Sequence, residues 1–197
     1  VTLGNGATLV IGGNNPADAA EFYETFAKAD SVKNASADGV GTIEVNGKLA
    51  DDETPEDKVS VFTAGTVGDA TNGGVNVTLN EGGELVATSA DAAGVGIYAA
   101  ALNGTGGKLT AQAENGTKND IYVTASNNVG ENIAFTADEL RVTDLDVNDG
   151  ADVAVRLENA DLGGVNSLVV ADAGTSADTH TTLTLAGTSS VAAVTVG

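Results

Sequence analysis

The chain contains no cysteine, no methionine and no tryptophan, and it carries only 8 Lys plus Arg against 28 Asp plus Glu. Each scarcity removes a class of protein. Without cysteine there is no disulfide framework, thiol nucleophile or thiolate metal site, so stability must come from backbone pairing and packing. The shortage of basic residues leaves a formal charge of −20, a field that repels nucleic acid and anionic lipid surfaces. With three Tyr and four Phe, the interior must be made of Val, Leu, Ile, Ala and Thr, small and β-branched side chains suited to a thin layered core. No stretch approaches the roughly 20 apolar residues of a membrane span, which points to a soluble chain with no direct membrane insertion. It begins at Val1 with no basic or apolar leader, which reads as a mature product or a piece of something longer.

What the sequence does have is glycine, 26 residues of it, and 42% apolar content in short runs. That content argues against disorder. Between Leu79 and Val123 one pattern is passed through twice: Gly82-Gly83, Leu85, Ile97-Tyr98, then Gly106-Gly107, Leu109, Ile121-Tyr122, with the same spacing between every matched pair. That spacing, about 24 residues, is one turn of a solenoid rather than an independent domain. Continued at the same interval, the pattern carries Leu85 onto Leu109 and Ile133, and Ile97 onto Ile121 and Leu145, the residues of the inward stack. Strands are predicted from Thr8 to Ile11 and then in regular succession from Thr42 to Val196, broken by Asn46-Gly47, Asn72-Gly73, Asn103-Gly104 and Asn115-Gly116, pairs that accept the left-handed backbone of a tight corner. Pro16 to Val32 is predicted as the one helix, with Ala19, Phe22, Tyr23, Phe26 and Ala27 at three- and four-residue spacing.

The expected fold is therefore all-β, a parallel β-helix with coils of about 24 residues: residues 1–40 form an N-terminal strand and helical cap, and 41–197 the solenoid. The alternative architecture is a β-sandwich fibre subunit whose leading strand, Val1 to Ile11, is donated to a neighbour.

The segment Asp91-Ala92-Ala93-Gly94-Val95-Gly96-Ile97-Tyr98-Ala99, preceded by Gly82-Gly83-Glu84-Leu85 and followed by Asn115-Gly116-Thr117, resembles the coils of autotransporter-type bacterial adhesins. In those β-helical passenger regions a Gly-Ile-Tyr-Ala run recurs between Asn-Gly-Thr corners. The C-terminal half, rich in Ala, Val, Thr and Asp, also resembles crystalline surface-layer proteins of bacteria. Both resemblances imply an exported protein used for display, adhesion or self-association, and neither supplies an active site.

The remaining chemistry is sparse. His180, the sole histidine, sits in Asp178-Thr179-His180-Thr181-Thr182, where alternation makes it one polar residue on a strand face and not the oriented base of a triad. No glycine-rich loop precedes a basic residue in a phosphate-binding pattern. Paired carboxylates on a β-helix face can cleave polysaccharide, and that enzymatic alternative stays open. Calcium is the cofactor that the oxygen-rich surface suits. Its densest cluster is Asp144, Asp146, Asn148, Asp149 and Asp152, although glycine falls one place late and no Glu stands at the twelfth position of a helix-loop-helix site. Asn34, Asn76, Asn103 and Asn115 head glycosylation sequons. The function expected is structural and non-enzymatic, on the cell surface or outside it: an adhesin, filament or surface-layer segment that self-associates or belongs to a longer parent chain. Its edges would be the strands at Thr8 to Ile11 and Val191 to Val196.

Overall fold

The computed structural model describes residues 1–12, 26–47, 60–89, 95–113, 119–123, 133–144, 153–158, 161–172, 181–186 and 194–196. Among these the only regular elements are strands: β1 (Thr2–Leu3), β2 (Thr8–Ile11), β3 (Phe26–Ala29), β4 (Lys33–Asn34), β5 (Thr42–Val45), β6 (Ser60–Ala64), β7 (Val75–Leu79) and β8 (Gly83–Ser89), followed by β9 (Val95–Asn103), β10 (Gly107–Ala113), β11 (Asn119–Val123), β12 (Ile133–Asp144), β13 (Val153–Glu158), β14 (Asp161–Asp172), β15 (Thr181–Ala186) and β16 (Val194–Val196).

Every ladder between these strands is parallel. The main sheet runs β2-β5-β7-β9-β11-β12-β10-β8-β6-β3, with β14 on β12 and β16 on β14, while β1-β4 and β13-β15 form separate pairs. Neighbours in a ladder are distant in sequence because a parallel partner cannot be reached through a tight turn and needs a long crossover connection. This also sets aside the sandwich alternative, whose sheets are antiparallel.

Alternation drives the burial. In β6 and β7 the first, third and fifth residues are buried and the others half-exposed, the period of two expected of a sheet with one face in the core. Register then aligns buried residues into columns. Phe62, Leu85, Leu109 and Phe135 stand side by side on β6, β8, β10 and β12, and Ile43, Val77 and Leu102 on β5, β7 and β9, with the partly buried Leu9 of β2 at the end of their column. A third column links Val32, Val67, Ile97, Ile121, Leu140 and Leu168, and none of these six side chains is exposed to solvent.

The predicted pairing of Ile97 with Ile121 and of Leu85 with Leu109 is present, with the same step along the chain in both ladders. The strict period is not. From Ile121 the next member of the column is Leu140, a shorter step, and Leu109 faces Phe135 where the period had put Ile133. Earlier steps are longer, from Thr8 to Thr42 and from Thr42 to Asn76. What is kept is the register of apolar residues, whereas the length of chain between strands varies. Leu145 lies outside the described residues.

The predicted helix is also corrected at its end. Phe26–Ala29 is extended and pairs with Val61–Ala64, with Ala27 and Ala29 packed against the core. The helical spacing rested on pairs such as Phe22-Tyr23 and Phe26-Ala27, whereas here Ala27 and Ala29 alternate toward the core, and pairing with a long-range partner overrides local propensity. Residues 13–25 lie outside the described residues.

Candidate functional site

Three places carry polar or aromatic side chains that the fold holds in fixed positions. The first is a set of asparagines at corners. Asn34 is 1% exposed, and its amide Nδ2 donates to the Gly74 carbonyl at 2.8 Å and the Asn72 carbonyl at 3.2 Å, while its Oδ1 accepts from the Gly41 amide at 3.0 Å. One side chain thus satisfies backbone groups of two separate turns. This burial overturns the sequon reading at Asn34, since an acceptor asparagine must be reachable. At another corner Asn80 Nδ2 donates to Asn46 Oδ1 at 2.6 Å, and Asn46 Nδ2 donates to Glu44 Oε1 at 2.9 Å. The Asn-Gly pairs had signalled turns. That Asn46 would be buried and bond to Asn80, which follows its partner strand in the same register, was not readable, because nothing local distinguishes it from Asn72.

The second is the outward column beside the buried isoleucines. Tyr98 and Tyr122 are in register, and their rings stack with centroids 4.9 Å apart and planes 19° from parallel. Their ring separation equals the spacing of neighbouring strands, about 4.7–4.9 Å. In backbone register, Tyr122 is followed by Arg141 on β12. Nearby, Asp69 Oδ1 accepts from the Thr71 and Asn72 amides at 2.8 and 2.6 Å. The Asn72 side-chain bond, then its backbone bond, hold the Asp69 carboxyl below its ordinary range, with smaller help from Lys33 and against the opposing effect of burial.

The third is the pair of sheet ends. Among the described residues β2 and β3 end the main path and β16 ends its branch, each with one ladder partner, as have both members of the pairs β1-β4 and β13-β15. A single partner leaves a row of backbone N–H and C=O groups to satisfy. Val10 on β2 and Val194 on β16 are large apolar side chains with 52% and 46% exposure.

The predicted calcium cluster falls mostly outside this description. Asp144 ends β12, in register with Asp172, whereas Asp146, Asn148, Asp149 and Asp152 lie outside the described residues, as does His180. Among the described residues no group of three or more His, Asp or Glu side chains converges, and no helix is long and apolar enough to cross a membrane.

No family model, curated protein or solved structure matches the chain. Function has therefore to be argued from the geometry.

Proposed function

We propose that the parallel ladders are successive rungs of a β-solenoid with coils of unequal length, and that its role is structural: an extracellular scaffold for display, adhesion or end-to-end self-association, without catalysis. The observation that carries this reading is the column Val32, Val67, Ile97, Ile121, Leu140 and Leu168, buried throughout and joined by parallel register although the steps along the chain are unequal. A solenoid needs constant stacking and tolerates variable corners, because each coil contacts only its neighbours. Its interior is filled by apolar side chains and its ends present strand edges, which suits assembly along the stack and not the enclosure of a small substrate. The surface placement rests on the sequence resemblance and on the acidic, cysteine-free composition.

The missing cysteines allow a direct test of the fold, because two can be introduced for spin labels without a competing thiol. Lys28, Thr63, Val86, Thr110 and Thr136 form one register column, so labels at Lys28 and Thr136 are four strand spacings apart, about 19 Å between backbones. A separation twice that would refute the stack. Electron microscopy of the purified chain at rising concentration, with and without a chelator, tests assembly. Fibres or sheets are expected, and their loss on chelation would assign calcium a part in them. Monomers under every condition would refute self-association.

A further inference from the structure

We propose that Tyr98 and Tyr122 are an oxidative coupling site, at which a peroxide oxidant joins two neighbouring strands through a dityrosine bond. The two rings are held face to face, with centroids 4.9 Å apart and planes 19° from parallel. What holds them is the ladder between β9 and β11, in register from Val95 with Asn119 to Ala99 with Val123. On either side of the tyrosines the pairs Ile97 with Ile121 and Ala99 with Val123 are buried almost completely, so a slip of one residue would turn these apolar side chains outward. Each tyrosine is itself only half-buried. The phenols are therefore within reach of a small oxidant.

Composition directs the oxidation to these rings. Cysteine and methionine, the side chains that peroxide usually attacks, and tryptophan, the other one that readily gives up a single electron, are absent, and the chain has only three tyrosines. Loss of an electron and a proton from each phenol leaves two phenoxyl radicals, whose unpaired electron is shared between the oxygen and the ring carbons ortho and para to it. The para carbon carries Cβ, so coupling falls to the ortho carbons, Cε. Each p orbital at Cε stands perpendicular to its ring, towards the stacked partner, and the new carbon–carbon bond forms in that direction. The hydrogens displaced from the two Cε atoms then pass to the oxygens through water, which restores both phenols. Two electrons and two protons have left the pair, and one O–O bond takes them up, so hydrogen peroxide yields two waters. The product closes a covalent loop between β9 and β11. It restricts the unfolded chain as a disulfide would, in a protein that has no cysteine.

The test oxidises the full chain at low concentration with peroxodisulfate and a light-driven ruthenium sensitiser, a reagent that also works in urea. The folded chain should give a monomeric product with the blue emission of dityrosine and a mass lower by two hydrogen atoms. Tryptic cleavage after Lys108 and Lys118 places Tyr98 and Tyr122 on different peptides, and these two should be recovered linked. The yield should exceed that of the urea-unfolded chain about tenfold, because closing a loop of about 24 residues seldom brings the rings together without the ladder. Tyr98→Phe and Tyr122→Phe should each remove the monomeric product, and Tyr23→Phe should leave it. The linked chain should also unfold at a higher urea concentration. Linkage through Tyr23, dimers alone, or equal yields with and without urea would overturn the site, and a midpoint no higher than that of the unlinked chain would overturn the stapling. Peptide mapping of the unsubstituted chain decides if a phenylalanine variant does not fold. The outcome depends on the β9-β11 ladder alone, so it stands apart from the spin-label distance between Lys28 and Thr136 and from self-association.

Discussion

Replacing Asn34 by alanine removes one side chain and strands backbone groups in two turns. The Gly41 amide and the Gly74 carbonyl are both buried where they meet Asn34, and a buried group left without a partner costs about 1–3 kcal/mol. The bond to the Asn72 carbonyl is only partly buried, and water replaces it at smaller cost. The expected loss is therefore about 3–5 kcal/mol, at the upper end of single substitutions. Urea denaturation followed by circular dichroism measures it, with the midpoint falling and the slope unchanged if the same surface is exposed. Folded chains can open in parts, so hydrogen exchange at the Gly41 amide should be read alongside and should accelerate together with the global change. Asn34→Asp sharpens the test. It keeps an acceptor for Gly41 but sets a carboxylate against two carbonyl oxygens, which favours the protonated acid in the folded state. Its folded pKa is thus raised, and the variant should regain stability as pH falls through that raised value, when the carboxyl can donate as the amide did. An alanine variant within about 1 kcal/mol of the parent, or an aspartate variant insensitive to pH, would refute the reasoning.

Other changes probe other contacts. Ile121→Ala empties a fully buried position between Ile97 and Leu140 and should cost about 2–5 kcal/mol in the same denaturation assay. Gly104→Ala should destabilise far more than Gly73→Ala. Both have positive φ, but a Cβ at Gly104 would lie 1.7 Å from the Leu79 carbonyl oxygen, whereas nothing lies within 4 Å at Gly73. Melting temperatures of the two variants rank them. The Asp69 carboxyl, held low chiefly by Asn72, contributes stability that is present above the ordinary carboxylate range and lost as pH falls through its lowered pKa. The difference between parent and Asp69→Ala should accordingly shrink in acid, and carboxyl titration by NMR should place Asp69 below the ordinary aspartate range.

Much of the strand succession was legible because alternation and turn residues are local signals. Ile97 and Ile121 were legible as a pair, since the segments joining this pair and Leu85 to Leu109 are equal in length. Where corners differ, a fixed period fails although the stack continues: the step from Ile121 to Leu140 is shorter than the one before it, and no count along the chain yields it. The strands Phe26–Ala29 and Lys33–Asn34 were missed for a different reason. They are short, hold polar or small residues, and exist through partners far away along the chain. The same holds for the site. The tyrosine pair followed from the repeat, but the continuation of the neighbouring buried column to Val67 rests on a single residue whose pairing with Ile97 only the three-dimensional arrangement reveals.

The charge and the ends pull against each other, and this makes the assembly reading quantitative. Two copies meeting end to end bring together chains of formal charge −20, while the contact gains backbone pairing at strand edges and burial of side chains such as Val10 and Val194. Repulsion between exposed charges is screened beyond a Debye length, about 10 Å at 0.1 M salt and about 30 Å at 0.01 M, whereas the pairing and apolar terms are not weakened by salt. Association should accordingly strengthen as sodium chloride rises, even without divalent ions. A built calcium site would behave differently, responding to micromolar or millimolar calcium at constant ionic strength. Sedimentation velocity across both titrations separates the two. Association that ignores sodium chloride but is switched on by calcium would assign the metal a specific structural role, and association that weakens as salt rises would mean that attraction between charges, and not the edges, holds the copies together.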